Sequence, residues 1–194
     1  MKVRNKLYGE KYFLFYKKYC IILNTEGDKL KKQEVESFEE IIADIIEFDK
    51  FKSLDNELHH GISRYEHSMR VAKWTYTISK TIRFNVKDTT RAALLHDFYL
   101  DKEFPGIASP IVLKDHPYQA LENAKKYFDI NYKQENMIVS HMFPVGTEKP
   151  QYKESWLLTA VDKSVSAYEM CRFKVSLVLG TWSLFFFNFI TNQK

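Results

Sequence analysis

Apolar residues recur every three to four positions along most of this chain, and little interrupts them. The 194 residues include six Gly and five Pro, roughly half the share of an average chain. Sandwiches and barrels need many more turns, so an all-β fold does not fit. The expected architecture is all-α, a single bundle of roughly seven to nine helices. The clearest signal lies in Gln33–Phe51, where Phe38, Ile41, Ile42, Ile45 and Ile46 fall on one helical face.

The rest of the chain reads in the same way. Asn24–Asp28 is a turn, and Ser53–Gly61 is a polar connector. A long helix runs from Ser63 to Phe84. Asp88 is expected to cap a second helix that passes through Arg91 to about Tyr99. Asp101–Asp115 reads as a loop, with Pro117 in the first turn of a helix reaching Phe128. A shorter helix covers Lys133–Met142, a loop covers Phe143–Pro150, and the last core helix covers Lys153–Phe173. No stretch alternates as a strand does. Three segments follow: residues 1–53 as an N-terminal helical segment packing on the core, 54–173 as the central domain, and 174–194 as an apolar C-terminal helix or tail.

Charge and cysteine content narrow the functional classes. A net charge of +4 without a clustered basic face does not point to nucleic acid. The lone pair Cys20 and Cys171 makes no disulfide framework and suits a reducing cytoplasm. The N-terminal stretch carries lysines within its apolar residues and does not read as a signal peptide. Val175–Ile190 is uncharged but short, and is interrupted by Ser176, Gly180, Thr181, Ser183 and Asn188, whereas a spanning helix needs about 20 apolar residues. A buried final helix or a self-association surface, and hence a homodimer, is the expectation there. Membrane attachment is the lesser alternative.

Polar residues on the apolar faces carry the chemistry. His67 aligns with Val71, Trp74, Ile78 and Ile82. His96 lies with Ala92, Leu95 and Tyr99, and Asp97 follows it. His141 lies with Ile138 and Met142. Asp162 shares a face with Leu158, Val161, Val165 and Phe173, and His116 sits just before Pro117. Any one of these histidines alone reads as structural. Asp162 alone reads as a helix-to-helix hydrogen bond or an ion pair with a lysine, because an unpaired buried carboxylate is costly. Several helices each turning a His or Asp inward point instead to a shared divalent metal. Imidazole and carboxylate together suit Fe, Mn, Zn, Ni or Co. The spacings between these residues are far too long for a finger-type zinc site.

The order His67, His96-Asp97, Asp162 resembles that of the HD-domain superfamily of metal-dependent phosphohydrolases. RYEHSMRVA (Arg64–Ala72) is similar to the family's first-histidine helix, RAALLHDF (Arg91–Phe98) to its HD signature, and TAVDKSVSAYE (Thr159–Glu169) to its closing aspartate helix. DHPYQALENA (Asp115–Ala124) and MIVSHMFP (Met137–Pro144) resemble the extra histidine segments of two-metal members, which cleave diadenosine tetraphosphate or cyclic dinucleotides. The chain has Ser140-His141-Met142 where the cyclic-dinucleotide subgroup has a tandem histidine pair, and it lacks that subgroup's GYP motif.

The resemblance implies hydrolysis of a phosphoester or phosphoanhydride, in a nucleotide or a similar small phosphorylated substrate, by water activated on metal. It implies two divalent ions bridged by Asp97, with His67, His96 and Asp162 on one and His116 and His141 on the other. Fe or Mn is expected first, with Ni, Co or Zn as alternatives. Arg64, one turn from His67, and Lys163, beside Asp162, are candidates to hold a phosphate oxygen; an exposed or ion-paired side chain is the alternative for both. Glu66 is a candidate acceptor for His67, Glu169 reads as a simple salt bridge, and His59 and His60 read as surface or supporting groups. The loops Asp101–Asp115 and Phe143–Pro150 are candidate walls for the substrate. The rival function is a non-catalytic module that binds metal and nucleotide as a signal.

Overall fold

The computed structural model describes residues 36–59, 62–104 and 109–191. Seven α-helices lie among them: α1 (Phe38–Ile46), α2 (Asp49–Lys52), α3 (Arg64–Ile82), α4 (Val86–Leu95), α5 (Ser109–Tyr127), α6 (Tyr132–Ser140) and α7 (Lys153–Thr191). Short 3-10 turns cover Ser53–Asn56 and Asp101–Glu103. The all-α expectation holds, with one small exception. Two two-residue strands, β1 (Leu58–His59) and β2 (Ile62–Ser63), pair antiparallel just before α3, in a stretch too short to show alternation in the sequence.

Helix α1 begins at a capping box. The Ser37 Oγ accepts from the Glu40 N–H, and the Glu40 carboxylate accepts from the Ser37 N–H; such a cap is worth about 1 kcal/mol. Phe38, Ile41, Ile42 and Ile45 are all buried, each contributing roughly 1.5–3 kcal/mol of apolar burial. The single helix expected over Gln33–Phe51 breaks after Ile46, and the chain turns through Phe48 into α2. This lets Phe48 pack its ring on Phe98, Tyr127 and Phe128.

Helix α3 starts on Ser63, whose Oγ accepts from the Glu66 N–H, and stops at Arg83, where φ is 59°. A left-handed non-glycine residue closes a helix at some conformational cost. The apolar stripe of Val71, Trp74, Ile78 and Ile82 is only partly the buried face: Val71 is in the core and Ile78 packs against it. Trp74 and Ile82 are exposed, while Ser68, Ala72, Thr75 and Ser79 are buried beside His67 and Val71. The packed face is made of small side chains, and α3 pairs most extensively with α4, whose Ala92 and Ala93 are fully buried. Phe173 is likewise exposed and leaves the face shared by Leu158, Val161 and Val165.

Several boundaries move. Asn85, not Asp88, caps α4: its Oδ1 accepts from the Asp88 N–H. That helix ends at Leu95, leaving His96 as the C-cap. Helix α5 begins at Ser109, inside the expected loop, and carries Pro117 in its interior rather than in its first turn. Asn131 caps α6 with both Lys133 and Gln134. Helix α7 continues unbroken past Phe173 to Thr191. Among the described residues, no helix is long and apolar enough to cross a membrane. Asn24–Asp28, His60 and Cys20 lie outside the described residues.

Candidate metal centre

His67 projects from the first turn of α3, His96 and Asp97 from the end of α4, His116 from within α5, His141 from the C-cap of α6, and Asp162 from α7. All six are buried and meet in one place. The Asp162 Oδ1 lies 3.1 Å from His67 Nε2 and 3.5 Å from His96 Nε2. The two oxygens of Asp97 divide the cluster. Its Oδ1 is 3.3 Å from His116 Nε2 and 3.5 Å from His141 Nε2, and its Oδ2 is 3.6 Å from His96 Nε2 and 4.0 Å from His67 Nε2.

Every one of the four histidines turns Nε2 toward this centre, because Nδ1 is engaged elsewhere. His96 Nδ1 donates to the Ala93 carbonyl at 2.7 Å, His116 Nδ1 to that of Val112 at 2.9 Å, and His141 Nδ1 to that of Ile138 at 2.7 Å. His67 Nδ1 donates to the Glu169 carboxylate at 2.8 Å. A donor bond at one ring nitrogen fixes the ring's orientation and reserves the other nitrogen for a ligand or proton at the centre.

The donors fit a divalent metal. His67, His96 and Asp162 form one group, and His96, Asp97 and His141 another, each with its ligand atoms within 4.8 Å of one another. The buried His96 Nε2 and Asp97 Oδ1 have no hydrogen-bond partner, a costly condition unless something positive sits between them. His116 Nε2 and His141 Nε2 are 3.1 Å apart, so two lone pairs face each other unless a proton or cation intervenes.

Electrostatics agree with this reading. Burial pushes the Asp97 carboxyl up, but the charges of the surrounding His96, His116 and His141 outweigh it and hold it well below the usual range. Burial likewise opposes the charge on Asp162, and the neighbouring His67 and His96 imidazoles overcome it. For His67, burial disfavours the cation, yet the bonds to Asp162 and Glu169 raise its pKa to about 10. Burial, helped by the charge at His96, lowers His141 to about 3. The site therefore holds ionised carboxylates among imidazoles.

The two cations expected at phosphate are engaged within the protein. Arg64 is buried, donates to the Tyr99 carbonyl and to Asp101 Oδ1, both at 2.9 Å, and stacks on the Tyr99 ring at 3.9 Å. Glu57 lies 3.6 Å from it. Lys163 donates to the His141 carbonyl at 2.9 Å, and burial lowers its pKa. Glu66 is exposed and serves the helix cap through its backbone, so it is not the acceptor for His67.

That acceptor is Glu169, which reads from the sequence as a simple salt bridge. It is buried, its Oε2 takes the His67 proton, and its Oε1 pairs with Arg70. The spacing held the clue: Glu169 lies two helical turns after Asp162 and so shares its face. Tyr99 carries no functional signal in the sequence, yet its ring packs 5.1 Å from that of His116. Of the two candidate walls, Phe143–Pro150 is a loop, tethered at its far end where Asn136 Oδ1 accepts from Gln151 N–H and Ser155 Oγ. Asp101–Asp115 is largely a 3-10 turn and the start of α5, with residues 105–108 outside the described set.

The family model of the HD domain matches residues 64–166, more than half of the chain. No curated protein and no solved structure matches.

Proposed function

The chain belongs to the HD-domain family, and on that premise we propose that it is a metal-dependent phosphohydrolase acting on a nucleotide or a related phosphoester or phosphoanhydride. The observation that carries this reading is the meeting of four Nε2 atoms with Asp97 and Asp162, in which His96 Nε2 and Asp97 Oδ1 are buried without partners. His67, His96, Asp97, His116, His141 and Asp162 would hold the metal. The division of the Asp97 oxygens between His116 and His141 on one side and His67 and His96 on the other supports two ions bridged by Asp97. Fe or Mn suits these donors first, and Ni, Co or Zn next.

Bound divalent ions supply Lewis acidity toward water and phosphate oxygens. The protein's own part is to hold the donors rigid, to keep Asp97 and Asp162 ionised, and to set the direction of approach. His67 and His96 are 0% exposed, whereas Asp97, His116 and Asp162 keep 3–6%. The donors are thus held almost entirely inside the protein, with only a narrow opening toward solvent. Arg64 braces the segment after Asp97 through Tyr99 and Asp101, and Lys163 braces the turn at His141. In this role they shape the rim, Arg64 through its two terminal nitrogens and Lys163 through one of its three ammonium donors.

The test is phosphate release by the purified chain loaded with Mn or Fe, across a panel of nucleotides and dinucleoside polyphosphates. Turnover that His96→Ala and Asp97→Ala abolish is expected. No turnover on any member of the panel refutes the enzyme. The engagement of Arg64 and Lys163 favours a second reading, a non-catalytic module that binds metal and nucleotide. It predicts saturable nucleotide binding with no product, and metal-dependent phosphate release ends it.

A further inference from the structure

His67 differs from the other three histidines in how it is oriented. His96, His116 and His141 each give Nδ1–H to a backbone carbonyl three or four residues earlier. His67 gives its own to Glu169, a carboxylate 102 residues later in sequence. Glu169 is buried, and its second oxygen pairs with Arg70, one turn after His67 on α3. The opposite ring nitrogen of His67 faces Asp162, 3.1 Å away. Both edges of the His67 imidazole are thus held by α7, at two positions on one face of that helix, and Arg70 completes a clasp between α3 and α7.

We infer that Glu169 is a positioning residue for the metal centre: it holds His67 in the Nδ1–H tautomer, with Nε2 aimed at the site, while Arg70 holds Glu169. This rests on the metal reading above and extends it to two residues outside the donor set. A carboxylate behind a ligating histidine fixes the ring's rotation and raises the basicity of the ligating nitrogen, and losing such a partner weakens metal binding by about 10- to 100-fold. A backbone carbonyl orients a ring without adding charge, so the other three histidines depend less on distant residues.

The experiment measures Mn(II) affinity by electron paramagnetic resonance for the full chain and for Glu169→Ala, Glu169→Gln and Arg70→Met. The thermal unfolding of each metal-free protein and the visible spectrum of each Co(II)-loaded protein are recorded alongside. Glu169→Ala is expected to bind about 10- to 100-fold more weakly and to change the Co(II) spectrum. Glu169→Gln, whose amide oxygen still accepts from Nδ1–H, is expected to recover most of the affinity, and Arg70→Met to fall between. A Glu169 that only clasped two helices would lower the unfolding temperature in both of its variants and leave affinity and spectrum at the parent values. That outcome overturns the inference and leaves the metal reading standing. A parent protein that binds no metal overturns both.

Discussion

Lys50 offers a sharp test of how the segment after the His96-Asp97 pair is held. Its Nζ lies 2.7 Å from Glu103 Oε1 and 2.7 Å from Asn123 Oδ1. Glu103 Oε2 accepts from the Leu100 N–H and from Asn123 Nδ2, which also donates to the Phe98 carbonyl. Residues 98–103 are thereby pinned from α2 and α5. The Lys50 and Glu103 side chains are 20% and 19% exposed, between a surface pair at about 0.2–1 kcal/mol and a buried pair whose breakage costs about 3–5 kcal/mol. Lys50→Met removes the ammonium, with its bonds to Glu103 and Asn123 and its place over the Phe98 and Tyr127 rings, so a loss of roughly 2 kcal/mol is expected. In urea unfolding, combining it with Glu103→Gln should cost at least about 1 kcal/mol less than the sum of the single losses. The pH dependence has a definite sign. Burial raises the Glu103 carboxyl, but the bonds from Lys50, Leu100 and Asn123 outweigh it and leave it below its ordinary 4.5. Its contribution is therefore present above that value and lost as pH falls through the depressed folded pKa, and Lys50→Met should flatten this loss. Additivity of the two variants within about 0.5 kcal/mol would refute the reasoning.

Other consequences are as direct. Metal-free protein should be stabilised by the His67 cation below its ordinary 6.5 and lose that stabilisation as pH rises to about 10; thermal scans of the parent against His67→Gln measure the difference, and equal slopes count against it. Ala93→Leu should overpack a fully buried position on α4 by about 1–3 kcal/mol and weaken Mn(II) binding by disturbing the turn whose carbonyl orients His96, which calorimetric titration would detect. Arg64→Lys should lose the paired bonds to Tyr99 and Asp101 and lower stability by roughly 1–2 kcal/mol in urea; an unchanged midpoint would mean the brace is not energetically significant.

Much of the centre was legible in the sequence because its donors obey helical periodicity. His96 with Ala92 and Leu95, and Asp162 with Leu158, Val161 and Val165, are buried together as their spacing requires. Hydrophobicity alone places His67 and Val71 of α3 correctly but not the rest of its buried face. Close helix packing selects small side chains instead, so Ser68, Ala72, Thr75 and Ser79 go inside while Trp74 and Ile82 stay in solvent. The early start of α5 was hidden by the Pro-Gly stretch before it and by Pro117, which breaks the local signal without ending the helix. The roles of Glu169 and Arg70 come from a contact between distant segments, and no local pattern encodes the identity of such a partner.

The different ways in which the histidine rings are oriented also set an order of assembly. His96, His116 and His141 take their orienting bonds from their own turns, so each is aimed as soon as that turn forms. His67 takes its bond from α7, and it can be aimed only after the chain closes a loop of about a hundred residues, one of the slowest kinds of contact to make. The centre is thus prepared in independent local pieces and completed by one late, long-range event. Until α7 docks, the centre lacks both Asp162 and the bond that fixes His67.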